Sequence, residues 1–109
     1  MLQGTLAVEE TGGGAEFTYT VENAGDDPAE VTFMSGQSFD ITVTDDGEEV
    51  WRWSQGRMFT QAIREETIAP GDTRTFSGEW TDPNPGTYEA TATLAAQSQT
   101  AEATAEFSI

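Results

Sequence analysis

Histidine, cysteine and lysine are missing from this chain altogether. Without His or Cys there is no material for a Ser-His-Asp or Cys-His nucleophile or for the common zinc sites, and no disulfide framework is available. A reducing compartment is permitted. Carboxylate acid–base chemistry is the one accessible route to catalysis, and no acid pair stands out above the general acidity. The expectation is therefore a protein without catalytic residues, metal site or cofactor. Long apolar runs are missing as well: no stretch approaches the ~18 residues needed to span a bilayer, and "MLQGTLAVEE" lacks the basic and apolar regions of a leader. A soluble, untargeted, cytoplasmic protein is expected, although a secreted or cell-surface protein trimmed of its leader would read the same way.

Positive charge is scarce. Four Arg stand against twenty Asp and Glu, giving a formal net charge of -16. Such a field repels phosphate backbones and anionic membranes, so neither nucleic acid nor lipid is expected as a partner. Three readings compete for the excess acid. The leading one is a solvated surface adapted to molar salt, where a Debye length of ~3 Å removes self-repulsion; carboxylates spread over nearly every segment, with no Lys, resemble the protein style of salt-in halophilic archaea. A nucleic-acid mimic would need carboxylates in a linear array on one face. Calcium binding at "DDGEE", residues 45–49, lacks the twelve-residue spacing of an EF-hand loop.

Within 109 residues there is room for one domain, 1–109, which by size scaling buries about two-thirds of its unfolded surface. Apolar residues alternate in short runs between Gly, Pro, Asp and Asn, the period-2 signal of half-buried strands, and no helix-period stretch competes. Strands are expected near residues 2–8, 16–22, 30–34, 39–44, 49–53, 58–67, 73–80, 87–95 and 102–108. Turn chemistry at "TGGGA", "AGDDPA", "APGDT" and "DPNPG" supports the spacing. Eight or nine strands so spaced make an all-β, immunoglobulin-like antiparallel sandwich. "TIAPGDT" followed by "PGTYEATATL" has the pattern of late immunoglobulin strands, an analogy that leaves function open.

The sixteen residues "EVWRWSQGRMFTQAIR", 49–64, hold two of the three Trp and three of the four Arg. Hairpin register accounts for part of this. A two-residue loop at Asp46-Gly47 sets Ile41 opposite Arg52 and mixes core with solvent faces. A three-residue loop, Asp45 to Gly47, pairs Ile41 with Trp51 and Phe39 with Trp53, and puts Asp40 opposite Arg52, so this register is expected. Phe39, Trp51 and Trp53 are then packing residues, and Asp40 and Arg52 form a structural ion pair worth ~0.2–1 kcal/mol. In "SGQ", Gly36 and Gln37 are expected to shape the turn into the 39–44 strand, the Gln37 amide satisfying backbone groups. Trp80 is expected to close the bottom of the core.

Packing leaves "SQGRMFT" over. A second hairpin through Ser54, Gln55 and Gly56 would place Trp51 against Phe59 and Met58 outside opposite Arg52. An exposed Met58 beside Phe59, on a turn bearing Arg57, is a presented recognition element. The alternative has Met58 and Phe59 both filling the core edge.

The ordered series "FMSGQSFDITVTDDGEEVWRWSQGRMFTQAI", "TIAPGDTRTFSGEW" and "PNPGTYEATATL" resembles the BsuPI type of intracellular proteinase inhibitor over roughly residues 15–95. The resemblance implies an immunoglobulin-like sandwich and inhibition of intracellular subtilisin-like serine proteases. Such inhibitors offer an extended segment to the substrate cleft with one side chain in the S1 pocket. Gln55, Gly56, Arg57, Met58 and Phe59 are the protease-contact candidates, Met58 first for the pocket and Phe59 second. The rival loop "DPNPG" offers only Asn84, which suits an apolar pocket less well. The alternative function is a non-inhibitory interaction or adhesion module that binds through the Trp and Arg region. A protruding Met58–Phe59 loop favours the inhibitor, a flat aromatic or edge patch the module. The expected state is a monomer.

Overall fold

The period-2 alternation becomes nine strands in the computed structural model, which describes residues 2–97 and 99–109 and holds no helix among them. In chain order these are β1 (Leu2–Thr11), β2 (Gly14–Asn23), β3 (Ala29–Phe33), β4 (Phe39–Asp45), β5 (Glu48–Arg52), β6 (Arg64–Ile68), β7 (Thr73–Thr81), β8 (Thr87–Leu94) and β9 (Ala103–Ser108). All pairings are antiparallel. One sheet runs β1-β2-β7, the other β5-β4-β8-β9, and β3 with β6 forms a separate ribbon. The architecture is an immunoglobulin-like β-sandwich.

Inward alternation builds the core. On β2, Ala15, Phe17, Tyr19 and Val21 are sealed from solvent, and β4 contributes Phe39, Ile41 and Val43 from the opposite sheet. Ala90 and Ala92 on β8 are equally buried, and their small volume leaves the interior to rings. Those rings form a chain: Phe17 stacks on Trp51 at 5.6 Å, Trp51 on Trp80 at 5.8 Å, and Trp80 meets Tyr88 edge-on at 5.0 Å. Trp80 thus sits half-buried in the ring chain. On the flank away from β5, the Tyr19 hydroxyl donates to the Ala101 carbonyl. Burial, and secondarily the Glu102 carboxylate, pushes its pKa up to about 12.

The β4–β5 hairpin departs from the expected register. Asp45 pairs with Glu48 around a two-residue turn, with Asp46 at φ 54° and Gly47 at φ 86°, both left-handed as a type I′ turn requires. A bulge at Val50 then absorbs one residue, so that Val43 faces Trp51 and Thr42 faces Arg52. The bulge does what the three-residue loop was invoked to do. It returns Trp51 and Trp53 to the core side, two residues further along β4 than expected. The expected strand over 58–67 also changes: only Arg64–Ile68 pairs, and its partner is β3.

Candidate protein-binding loop

The loop leaves β5 under the control of Asp40. One carboxylate oxygen accepts the Ile41 and Ser54 amides at 2.9 and 3.1 Å; the other accepts Arg52 Nη1 at 3.0 Å and the Ser54 hydroxyl at 2.7 Å. The expected Asp40–Arg52 pair therefore exists, along the strand diagonal, and Arg52 is shared with Glu49 at 2.7 Å. Glu49, then Asp40, holds the Arg52 guanidinium protonated beyond its ordinary range. Trp53 keeps one ladder bond, its amide donating to the Ile41 carbonyl at 2.8 Å. A tight turn follows, with Gln55 N–H on Arg52 O, Arg57 N–H on Ser54 O, both 3.1 Å, and Gly56 at φ 80°.

No second hairpin forms. Arg57 folds back instead: its Nε donates to the Trp53 carbonyl at 2.9 Å and its guanidinium lies 4.4 Å from the Trp53 ring centroid. Phe59 packs on the same indole at 5.9 Å, half-buried. The Thr60 carbonyl accepts the Gly36 amide at 2.8 Å, so the segment is drawn to the β3–β4 loop and away from β5. Of the two residues proposed for presentation or for the core edge, Phe59 is half-buried against Trp53 without joining the core, and Met58 is 98% exposed. Gln55, Gly56 and Arg57 are exposed beside it.

The tether is built from both sides. A Cβ on Gly36 would stand 2.7 Å from Thr60 Oγ1 and 3.2 Å from Thr60 N, which explains glycine there. Gln37 takes the expected role, its amide donating to Phe39 O at 3.0 Å. At the far end Arg64 lies 4.6 Å from the Phe33 ring centroid and donates to Ser35 O at 3.2 Å and Ser38 Oγ at 2.8 Å. Trp53, the platform for Arg57 and Phe59, stacks on Phe39 at 4.1 Å and lies so close over Gly78 that a Cβ there would meet Trp53 Cδ1 at 2.6 Å.

Sequence reasoning did not reach Thr60 or Gly78. Each matters only through a residue far away in the chain, so no local pattern marks it. The rival loop at 82–86 is occupied structurally, Tyr88 donating its hydroxyl to Asn84 O at 2.5 Å and Gly86 bonding Ile109 in both directions. Among the described residues there is no group of three or more acidic side chains arranged to hold a metal, "DDGEE" included.

The chain matches the intracellular proteinase inhibitor family BsuPI over residues 2–99. The chain belongs to the BsuPI family. That family is described as intracellular, and among the described residues no helix is long and apolar enough to cross a membrane. Comparison with curated proteins gives no match. Solved structures share the fold at low identity. The CARDB domain of PF1109 from Pyrococcus furiosus is 18% identical with a TM-score of 0.54, over 98% of this chain and 92% of that one. Spo0M, a sporulation control protein from Bacillus subtilis, is 17% identical with a TM-score of 0.54, over 99% and 48%. β-Glucosidase from Kluyveromyces marxianus is 12% identical with a TM-score of 0.55; all of this chain aligns, and it spans 14% of the enzyme.

Proposed function

We propose that this BsuPI-family chain acts as a single inhibitory domain, monomeric and cytoplasmic, that occludes the active site of a subtilisin-like serine protease. The segment Arg57–Thr60 lies along the substrate cleft and Met58 enters the S1 pocket. One observation carries the reading: a fully exposed thioether on a turn-free segment whose neighbours on both sides are anchored. Such anchoring lowers the entropy lost on docking, the main cost of presenting a loop to a cleft. A flexible apolar side chain fits a large apolar pocket, and Arg57, turned back onto Trp53, is withheld from a pocket that selects cations. The family's role supports binding over catalysis in this chain. The stacked, half-buried indoles favour the inhibitor over an adhesion module that would bind through a flat aromatic patch rather than a sheet edge.

The test is a titration against a salt-tolerant subtilisin-class protease in molar KCl. Wild type is expected to inhibit stoichiometrically. Met58→Ala should lose about thirtyfold or more in inhibition constant, the scale of an anchor residue, with an unchanged melting temperature because the side chain touches little. Phe59→Ala should loosen the loop and weaken inhibition less. Inhibition by wild type that Met58→Ala leaves intact would remove Met58 from the pocket.

A further inference from the structure

The acid excess has a gap. Residues 31–39, 50–64 and 90–101 contain no Asp or Glu, although the chain carries twenty. Far apart in sequence, these stretches meet in the fold. Gly36 bonds Thr60, Arg64 bonds Ser35 and Ser38, Phe33 bridges to Ala96, Ala95 donates to Ser38 O at 2.9 Å, and Gln97 donates to Thr32 O at 2.9 Å. The large apolar side chains exposed among the described residues, Met34 at 49%, Val50 at 46%, Met58 at 98% and Ile63 at 63%, all fall within the first two stretches. Of the carboxylates at the border, Asp40 and Glu49 pair with Arg52, and Glu66, one residue beyond it, pairs with Arg64 and Arg74, while Glu30, Glu65, Glu89 and Glu102 rim the face without an ion pair among the described residues. Arg57, inside the gap, is the one arginine with no carboxylate partner among the described residues.

Resting on the inhibitor reading, we infer that this acid-free, apolar-studded surface is one docking face, extending from the Met58 loop across the β3–β4 loop to the turn at 95–97, and that its occupant is a protease whose cleft rim is acidic. Area requires more than a loop tip. A specific complex covers about 800 Å² on each partner, roughly an eighth of the 6448 Å² surface here. Charge selects the occupant. A cationic partner would be met best by the carboxylates that cover the rest of the molecule, whereas an anionic rim can approach closely only where they are missing and an uncompensated Arg57 is offered.

Single-charge substitutions test this. Gln61→Glu and Gln97→Glu add one negative charge on exposed side chains inside the face, and Asn84→Asp adds the same charge at the 82–86 loop. Against an acidic subtilisin-class protease at 0.1 M salt, each Gln→Glu change is expected to weaken inhibition about five- to tenfold, with the loss shrinking toward molar salt, and Asn84→Asp to leave it unchanged. Equal effects at all three positions, or none, overturn the face. If wild type inhibits no such protease, the inhibitor reading fails and the face is judged separately by titrating the labelled protein with a soluble Glu-Tyr copolymer. Amide shifts concentrated at 34–38, 57–63 and 95–97 uphold it, and shifts elsewhere or nowhere reject it.

Discussion

Asp40 shows how far a single residue can be read. Alternation placed it on the outer face near Arg52, and the ion pair is there. Its larger role, holding Ser54 by both amide and hydroxyl so that β5 stops and the loop begins, was invisible because Ser54 lies fourteen residues away around a turn whose length sets the meeting. Tyr19 carries a prediction at the same scale. Burial favours its neutral form and raises its pKa to about 12. The stability that this contributes is fully present below the ordinary tyrosine value near 10 and is lost as pH climbs from there to about 12. Thermal melts at stepped pH should therefore stay level to about pH 10 and fall above it, and Tyr19→Phe should lessen that fall. An unchanged alkaline fall in the variant would assign it to other groups.

At the scale of elements, most strands were legible because one face of each is buried and polar residues occupy the other, as in the strict alternation of β2, β4 and β8. Two elements resisted. The Asp46-Gly47 turn was the correct hairpin signal, but a bulge at Val50 repairs the faces downstream, and bulges carry no sequence mark strong enough to override a register argument. The stretch before β6 has strand-like composition yet pairs with nothing until Arg64, because Thr60 is captured by Gly36. The β5–β7 side of the sandwich depends on Trp53 lying over Gly78. Gly78→Ala should displace the indole, costing about 1–3 kcal/mol as overpacking does and weakening inhibition along with it, since Arg57 and Phe59 rest on that ring. Denaturation with tryptophan fluorescence reads the first effect and the protease titration the second. Full stability in the variant would show that the contact is relieved without consequence.

At the scale of the whole molecule, composition announced both the sandwich and the acid surface, while the convergence of three acid-free stretches needed the topology that brings β3, the 57–63 segment and the end of β8 together. The net charge of -16 sets a self-repulsion that salt screens over about 10 Å at 0.1 M and ~3 Å at 1 M. A salt-adapted fold should melt at a higher temperature in molar KCl than below a few tenths molar, and a melting temperature flat across that range would contradict the adaptation. The central claim, occlusion of a protease active site through Met58, is tested most directly by binding to a subtilisin-class protease whose active site has been sealed with a peptidyl chloromethyl ketone. Affinity should be abolished for the sealed enzyme and retained for the open one. Equal affinity for both would place the inhibitor outside the active site.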